Sequence, residues 1–447
     1  MSSIGKMILP LLDHLNKTTI LKNLEFLNQS QWWSTDQLQQ LQEEKLHRVM
    51  KAAYQGVPYY RNLFNQHGLT DKDIRSIEDL KKLPILDKAT FRRNWQQFIN
   101  QNCQAKKAIK SFTSGSTGTP LQFLLSREQE SWRWAARYRF WQWAGYELGT
   151  SYANMSVHPR NSLIKRFQDI ITNCTYFHIH QADQAQFDDF LNKIISKKID
   201  FLVGYAHSVY LLAKFAQQQR IQEIRLKGIV THGETLFPHF RNLIEHQFGC
   251  RVSDLYGAGG EGFHIAAQCE YGNGYHIDME NVIVETKELG SGAAEIILTG
   301  LDNEVMPLIR YHIGDLGKIS HEKCKCGRGL IVLEEVSGRT GDLVVTPNHQ
   351  FLSALFFNWL FERAQGIEQF QVIQKNVAAI SIRFVPNSNF KSDELEAIGD
   401  EIIQASNYQL NVSFEKVDNV PVSPSGKRRW VISEVWSALN ANTTAAI

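Results

Sequence analysis

Between residues 34 and 55, apolar side chains return every three or four positions, at Leu38, Leu41, Val49, Ala52 and Ala53. That spacing predicts a helix with one buried face. Ser34 with Gln37 forms a capping box at its start, and Gly56 followed by Pro58 ends it. Around residues 109–112 and 121–125 lie two short apolar runs. The segment between them, Thr113-Ser114-Gly115-Ser116-Thr117-Gly118-Thr119-Pro120, reads as a loop joining two strands. A helix over 132–143 carries Trp132, Trp134, Tyr138, Phe140, Trp141 and Trp143 on nearly every face, which predicts burial on several sides. Apolar runs at 201–203 and 229–230 then alternate with helical patterns over 184–197, 207–219 and 238–248. Such alternation predicts an α/β layer with parallel strands. Beyond residue 343 the pattern changes to strand 343–345, helix 352–364, strands 369–374 and 378–385, helix 392–406 and strand 411–417, a small α+β domain. The expected boundary falls at Asp342, giving domains 1–341 and 342–447.

With 447 residues the chain is too long for one ordinary core, in keeping with two domains. Its 48 basic and 46 acidic residues leave a formal charge of +2, so bulk electrostatics do not suggest a nucleic-acid partner. The apolar run Met7-Ile8-Leu9-Pro10-Leu11-Leu12 is interrupted at Asp13 and His14, too soon for a signal peptide or a membrane span. A cytoplasmic protein is expected. Six cysteines in this length do not make a disulfide scaffold. Cys324 and Cys326, with Cys269 and His276 on a preceding segment, are four ligands of the types zinc prefers. His264 and His321 are rival ligands, and a set of buried thiols is the plain alternative. A zinc ion held this way would be structural.

The hydroxyl- and glycine-rich loop from Thr113 to Thr119 can close around an anion, because glycines admit a phosphate and N–H and O–H groups donate to it. Thr119-Pro120 stands where a nucleotide P-loop needs Lys followed by Ser or Thr, so that reading fails. Thr231-His232-Gly233-Glu234 lies at the carboxyl end of a predicted strand, where open α/β sheets bind ligands. In Asp254-Leu255-Tyr256-Gly257-Ala258-Gly259-Gly260-Glu261-Gly262 an aromatic ring beside glycines offers a platform for a base, and a carboxylate can hold Mg²⁺ against phosphate oxygens. Met306 to Asp315 ends in a Gly314-Asp315 turn. Further on come Gly338-Arg339-Thr340-Gly341-Asp342 and Pro421-Val422-Ser423-Pro424-Ser425-Gly426-Lys427. Taken singly, the 113–120 loop also reads as a solvated hairpin, 254–262 as a glycine-rich turn and the Ser425-Gly426-Lys427 tip as a solvated basic turn.

In this order these segments resemble the motifs of the adenylate-forming (acyl-activating) enzymes. The flanking 57–64 and 78–88 look like the phenylacetate-CoA ligase branch, which includes capsule-biosynthesis homologues. The resemblance runs from about Trp32 to Glu434. It implies a large N-terminal α/β domain with layered sheets and a small mobile C-terminal α+β lid, with ATP between them. It further implies that Thr113, Ser114, Gly115, Ser116, Thr117, Gly118 and Thr119 hold phosphate, and that Gly233, Glu234 and Tyr256 contact adenine, with Asp254 and Gly257 in the same nucleotide-binding set. Glu261 would assist Mg-ATP, although it follows Tyr256 by five positions where the family has four. Asp315 would take the ribose hydroxyls and Arg339 the ribose and phosphate. Asp342 would be the hinge and Lys427 the catalytic lysine. The implied reaction charges a carboxylic acid, aryl or otherwise hydrophobic, with AMP, and CoA then displaces the AMP. Alternatives are an amine or carrier-protein acceptor, and a non-catalytic nucleotide-binding relative. Tyr205, His207 and the aromatic helix are candidates for the acid pocket. No motif specifies the acid or the oligomeric state.

Overall fold

The computed structural model describes residues 10, 13, 17–113, 120–156, 160, 162–179, 184–272, 274–290, 293–320, 322–339, 343–348, 350–352, 354–364, 366–421 and 429–435. Helix Thr35–Gly56 starts as its sequence predicts. Ser34 Oγ accepts from Gln37 N (3.2 Å), and Gln37 Oε1 accepts from Ser34 N (2.9 Å). Its last residue, Gly56, lies so close to Asn100 that a Cβ would sit 2.0 Å from the Asn100 side-chain oxygen. Pro58 then opens the next helix, Pro58–Gln66, from a position where its missing N–H costs nothing.

Strands β1 (Ile109–Phe112) and β2 (Gln122–Leu125) pair antiparallel around the 113–120 loop. The main sheet takes β3 (Tyr152–Ser156), β4 (Cys174–His178), β5 (Phe201–Tyr205), β6 (Gly228–His232), β7 (Val252–Ala258), β8 (Phe263–Ala267), β9 (Tyr275–Ile277), β10 (Val282–Gly290), β11 (Ala293–Gly300), β12 (Tyr311–Ile319) and β13 (Val332–Arg339). Its order is β10-β11-β12-β13-β9-β8-β7-β6-β5-β3-β4. The β4-β3-β5-β6-β7 portion is parallel, with helices Gln184–Ser196, Ala206–Gln218 and Pro238–Phe248 as crossovers. From β7 the sheet continues antiparallel through β8 and β9 to β13. Antiparallel neighbours need no helical crossover, so this half lacks the strand–helix alternation that predicts a parallel layer.

The chain forms two compact units: Met1–Glu285 with Ile297–Ile313 and Ile319–Glu335, and Thr286–Ile296 with Gly314–Lys318 and Val336–Ile447. Within the second, β14 (Val344–Val345) pairs with β15 (Phe351–Leu352). A four-stranded sheet of order β18-β17-β16-β19 is built from β16 (Ile367–Asn376), β17 (Ala379–Pro386), β18 (Asn411–Lys416) and β19 (Val431–Ser433). Helices Ala354–Glu362 and Asp393–Ala405 bury Phe357, Leu360, Ile398 and Ile402 in one cluster with Val372 and Ile382 of that sheet.

In the first unit, helix Arg127–Trp143 is buried along much of its length. Arg139, with no exposed surface, donates to Asp278 (2.5 Å) and Glu280 (2.7 Å), and Ser30 Oγ donates to Glu280 as well (2.5 Å). Burial pushes the Asp278 carboxyl up and Arg139 opposes that shift. Arg139→Ala strands two buried carboxylates, so a stability loss of about 3–5 kcal/mol is expected in chemical denaturation.

Candidate nucleotide site and metal centre

Strands β5, β6 and β7 run parallel with Tyr205 opposite His232 and His232 opposite Leu255. The candidate adenine residues thus leave the sheet at its carboxyl edge. Gly233 is exposed at φ 76°, a left-handed turn that glycine adopts without penalty. It delivers Glu234, whose Oε2 accepts from His207 N at 3.1 Å in the first turn of helix Ala206–Gln218. A carboxylate is favoured at that end of a helix. The Tyr205 and His232 rings lie 4.9 Å apart beside it.

Asp254, Tyr256 and Gly257 all belong to β7, so the expected glycine turn begins later, at Gly259. Asp254 faces inward. It is 5% exposed, and its carboxylate accepts from Thr231 Oγ1 (2.6 Å) and Tyr275 OH (2.8 Å), so within the protein it ties β6, β7 and β9 together. Tyr256 is half-buried, and the register slips between it and Gly257. At Gly257 a Cβ would meet the Phe263 carbonyl at 2.9 Å.

The turn then packs on the mouth of the hydroxyl-rich loop. A Cβ on Gly260 would stand 2.6 Å from Thr113 Cα, and the Gly259 carbonyl accepts from Ser111 Oγ (3.5 Å) and Arg133 Nη1 (3.4 Å). Thr113 is itself fixed by two bonds with Leu121: its N donates to the Leu121 carbonyl, and its Oγ1 accepts from Leu121 N, each at 2.9 Å. Gln129 Nε2 holds the carbonyls of Glu261 (3.3 Å) and Gly262 (3.4 Å), and the Glu261 side chain is buried. Two segments more than 140 positions apart are therefore in van der Waals contact where the sequence places a phosphate cradle and a base platform. Ser114, Gly115, Ser116, Thr117, Gly118 and Thr119 lie outside the described residues.

Asp315 and Arg339 belong to the second unit, on the neighbouring strands β12 and β13. Gly314-Asp315 is not a turn but part of a nine-residue strand, where Gly314 takes φ 83° and Asp315 is half-buried. Asp342 and Lys427 lie outside the described residues.

Cys269, His276, Cys324 and Cys326 converge, with ligand atoms all within 4.8 Å of one another. Cys269 and Cys324 sulfurs are 3.7 Å apart, and Cys326 Sγ is 3.3 Å from His276 Nε2. A tetrahedral zinc with sulfur bonds of about 2.3 Å sets its ligand atoms roughly 3.8 Å apart, so the donor set fits that ion. His276 Nδ1 faces the Leu330 carbonyl at 3.3 Å, the outer contact that orients an imidazole ligand. Backbone N–H groups of Tyr271 and Arg328 point at Cys269 and Cys326 sulfurs, each at 3.5 Å. Of the rival ligands, His264 sits on β8 outside the cluster, and His321 lies outside the described residues.

One feature of the aromatic helix escapes a reading by hydrophobicity: Arg133, Arg137 and Trp141 recur at i, i+4 and i+8 on a single face. Arg133 reaches the glycine turn and Trp141 reaches β3 and β5, with its ring 5.1 Å from Tyr152 and 5.8 Å from Phe201.

Residues 344–434 match the family model described as the CapK C-terminal domain. Protein CapK of Staphylococcus aureus is 22% identical over 406 residues, spanning 89% of each chain. A phenylacetate-coenzyme A ligase of Thermus thermophilus is 23% identical over 421 residues, covering 87% of this chain and 91% of that one. Among solved structures, 2-hydroxyisobutyryl-CoA ligase in its postadenylation state superimposes with a TM-score of 0.69 at 17% identity, over 90% of this chain and 91% of the other. In sequence the chain is thus similar to CapK and to phenylacetate-CoA ligases, and in fold it is similar to an acyl-CoA ligase of the adenylate-forming type.

Proposed function

We propose that the protein activates a carboxylic acid with ATP and passes the acyl group to CoA. A carboxylate oxygen attacks the α-phosphorus of ATP, the bond to pyrophosphate breaks, and an acyl-adenylate forms. The CoA thiolate then attacks the acyl carbon and AMP leaves. The observation that carries this reading is the seating of Gly260 on Thr113 near the carboxyl edge of parallel strands, which supports pairing the segment read as a base platform with the start of the segment read as a phosphate loop. In this reading the 113–119 loop holds the phosphates, Gly233, Glu234 and Tyr256 flank adenine, and Asp315 and Arg339 take the ribose. Glu261 supports Mg²⁺ on the phosphates, and Asp254 acts by holding β7 in place. Residues 342–447 form the lid, which turns about Asp342 and brings Lys427 to the nucleotide for the first half-reaction only. We further propose that Cys269, His276, Cys324 and Cys326 hold a structural zinc.

Acid-dependent exchange of labelled pyrophosphate into ATP, without any acceptor, tests the first half-reaction. An acid panel that supports no exchange would sink it. Mass spectrometry of products formed with CoA, or with amines in its place, tests the acceptor. A thioester is expected, and an amide with no thioester would instead identify an amine acceptor.

A further inference from the structure

The Arg133, Arg137 and Trp141 face of helix Arg127–Trp143 spans a definite path. At one end Arg133 touches the Gly259 carbonyl beside Thr113, and at the other Trp141 packs on Tyr152 and Phe201, the first residues of β3 and β5. Arg137 lies one helical turn from each, so it stands over the middle of the sheet, about 6 Å further in than Arg133. On β3 and β4 the sheet face below carries polar side chains. Side chains alternate across a strand, so Asn154 and Ser156 share a side with Tyr152, and Tyr176 lies alongside them on β4, bonded to Ser156. All three are only half-buried; Asn154 and Ser156 stand on β3, an inner strand of the parallel portion, where apolar residues are the rule, and Tyr176 stands on the edge strand β4.

Among the described residues, Arg137 is paired with no anion. Its guanidinium carbon lies 4.9 Å from the Trp134 ring and 5.0 Å from the Trp141 ring, its Nε is buried without a hydrogen-bond partner, and no carboxylate among the described residues pairs with it. The neighbouring arginines are matched: Arg133 with Glu130 (2.7 Å), Arg139 with Asp278 and Glu280, and Arg160 with Asp169 (3.4 Å). Trp134 Nε1 also donates to Glu130, which engages that carboxylate from a second side. Tyr152, Tyr138 and Cys174 also face Arg137, and burial raises the pKa of each so that all three are neutral near pH 7; the remaining groups add no negative charge either. They include Arg133 and His264, the latter with a buried, unpartnered Nδ1 and a pKa well below the usual histidine range through burial and then through Arg137, Arg133 and His232. Burial also holds the Arg137 guanidinium below the usual arginine range. An ionised group kept out of water without a partner is costly, and a stacked, planar fork is pre-organised for a carboxylate.

Resting on the adenylation reading above, we propose that Arg137 binds a second carboxylate on the substrate, so that the preferred acid is a short dicarboxylate: one carboxylate is activated near Thr113, and the other is held between Trp134 and Trp141. The expectation of an aryl or otherwise hydrophobic acid then gives way to a diacid with a spacer on the order of three to four carbons, set by the single helical turn between the two ends.

The test is acid-dependent ATP–pyrophosphate exchange with glutarate, adipate and terephthalate against butyrate, hexanoate, benzoate and phenylacetate, using the wild type, Arg137→Met and Arg137→Lys. The wild type is expected to favour at least one diacid over its monoacid counterpart by about 100-fold or more in kcat/KM, because a site built for a polar group rejects an analogue that lacks it. Arg137→Met should remove that preference, while its exchange with phenylacetate stays within about threefold of wild type or rises, which also shows that the variant folds. Arg137→Lys, which keeps the charge and loses the fork, should retain part of the preference. Robust wild-type exchange with monoacids and no diacid preference, or equal losses for both classes in Arg137→Met, would overturn the assignment of Arg137 and leave adenylation standing. No exchange with any acid would overturn both.

Discussion

Lys427→Ala should lower acyl-adenylate formation by about 100- to 1,000-fold, while a chemically prepared acyl-adenylate is still converted to thioester at nearly the wild-type rate. The physical reason is the timing of charge. As the carboxylate attacks, negative charge builds on the oxygens around the α-phosphorus and on the departing pyrophosphate, and an ammonium aimed there stabilises the transition state more than the ground state. Removing one such donor typically costs 10²–10³ in kcat. In the second half-reaction the charge moves to the AMP leaving group, and on the proposed reading, with the lid turned, the lysine has no part in it. Rapid-quench measurement of each half-reaction separates the two. Equal loss in both would mean that Lys427 supports the fold or nucleotide binding in general, and the assignment would fail.

Removal of zinc is expected to have the largest effect on stability. Gly329 packs where a Cβ would stand 1.8 Å from the Trp33 carbonyl oxygen, and Arg328 bonds Gln31 (2.9 Å) and Glu270 (2.9 Å) while its guanidinium lies over the Trp32 and Trp143 rings. The turn carrying Cys324 and Cys326 therefore fastens the end of helix Ile20–Ser30 to β9 and β13. A site saturated a thousandfold above its Kd stabilises the folded state by about 4 kcal/mol. Purified protein should carry one zinc per chain, and Cys326→Ser or treatment with a chelator should lower the melting temperature to the same value, with zinc restoring only the wild type. A chain with no zinc and a melting temperature indifferent to chelation would leave the cluster as a group of buried thiols.

Much of this was legible in the residues. Ser34 with Gln37 announced a helix start because capping chemistry is local, and the strand–helix alternation from 184 to 248 announced parallel strands because crossovers need length. The elements beyond residue 343 showed the same clarity, since each carries its own period. The antiparallel half of the main sheet was harder, because its strands follow one another with no helix between them, and Gly314-Asp315 reads as a turn until a neighbouring strand on each side holds it extended. The cluster of Cys269, His276, Cys324 and Cys326 could be guessed from donor chemistry, yet its closeness depends on the β9–β13 pairing, which no local signal encodes. Asp254 has the residue type expected beside a nucleotide, but Thr231 and Tyr275 claim its oxygens, and both come from other strands. Arg137 was hidden in plain view: six aromatics in a helix suggest packing, and only the i, i+4 spacing from Arg133 marks a charged stripe among them.

The central claim is that a carboxylate oxygen attacks the α-phosphorus of ATP. The most direct measurement uses an acid carrying ¹⁸O in its carboxylate, with ATP and CoA, followed by mass spectrometry of the nucleotide products. Transfer of one ¹⁸O atom into AMP, with none in pyrophosphate, is the predicted result. Formation of ADP with the label in orthophosphate would contradict it, because the acid would then have attacked the terminal phosphate.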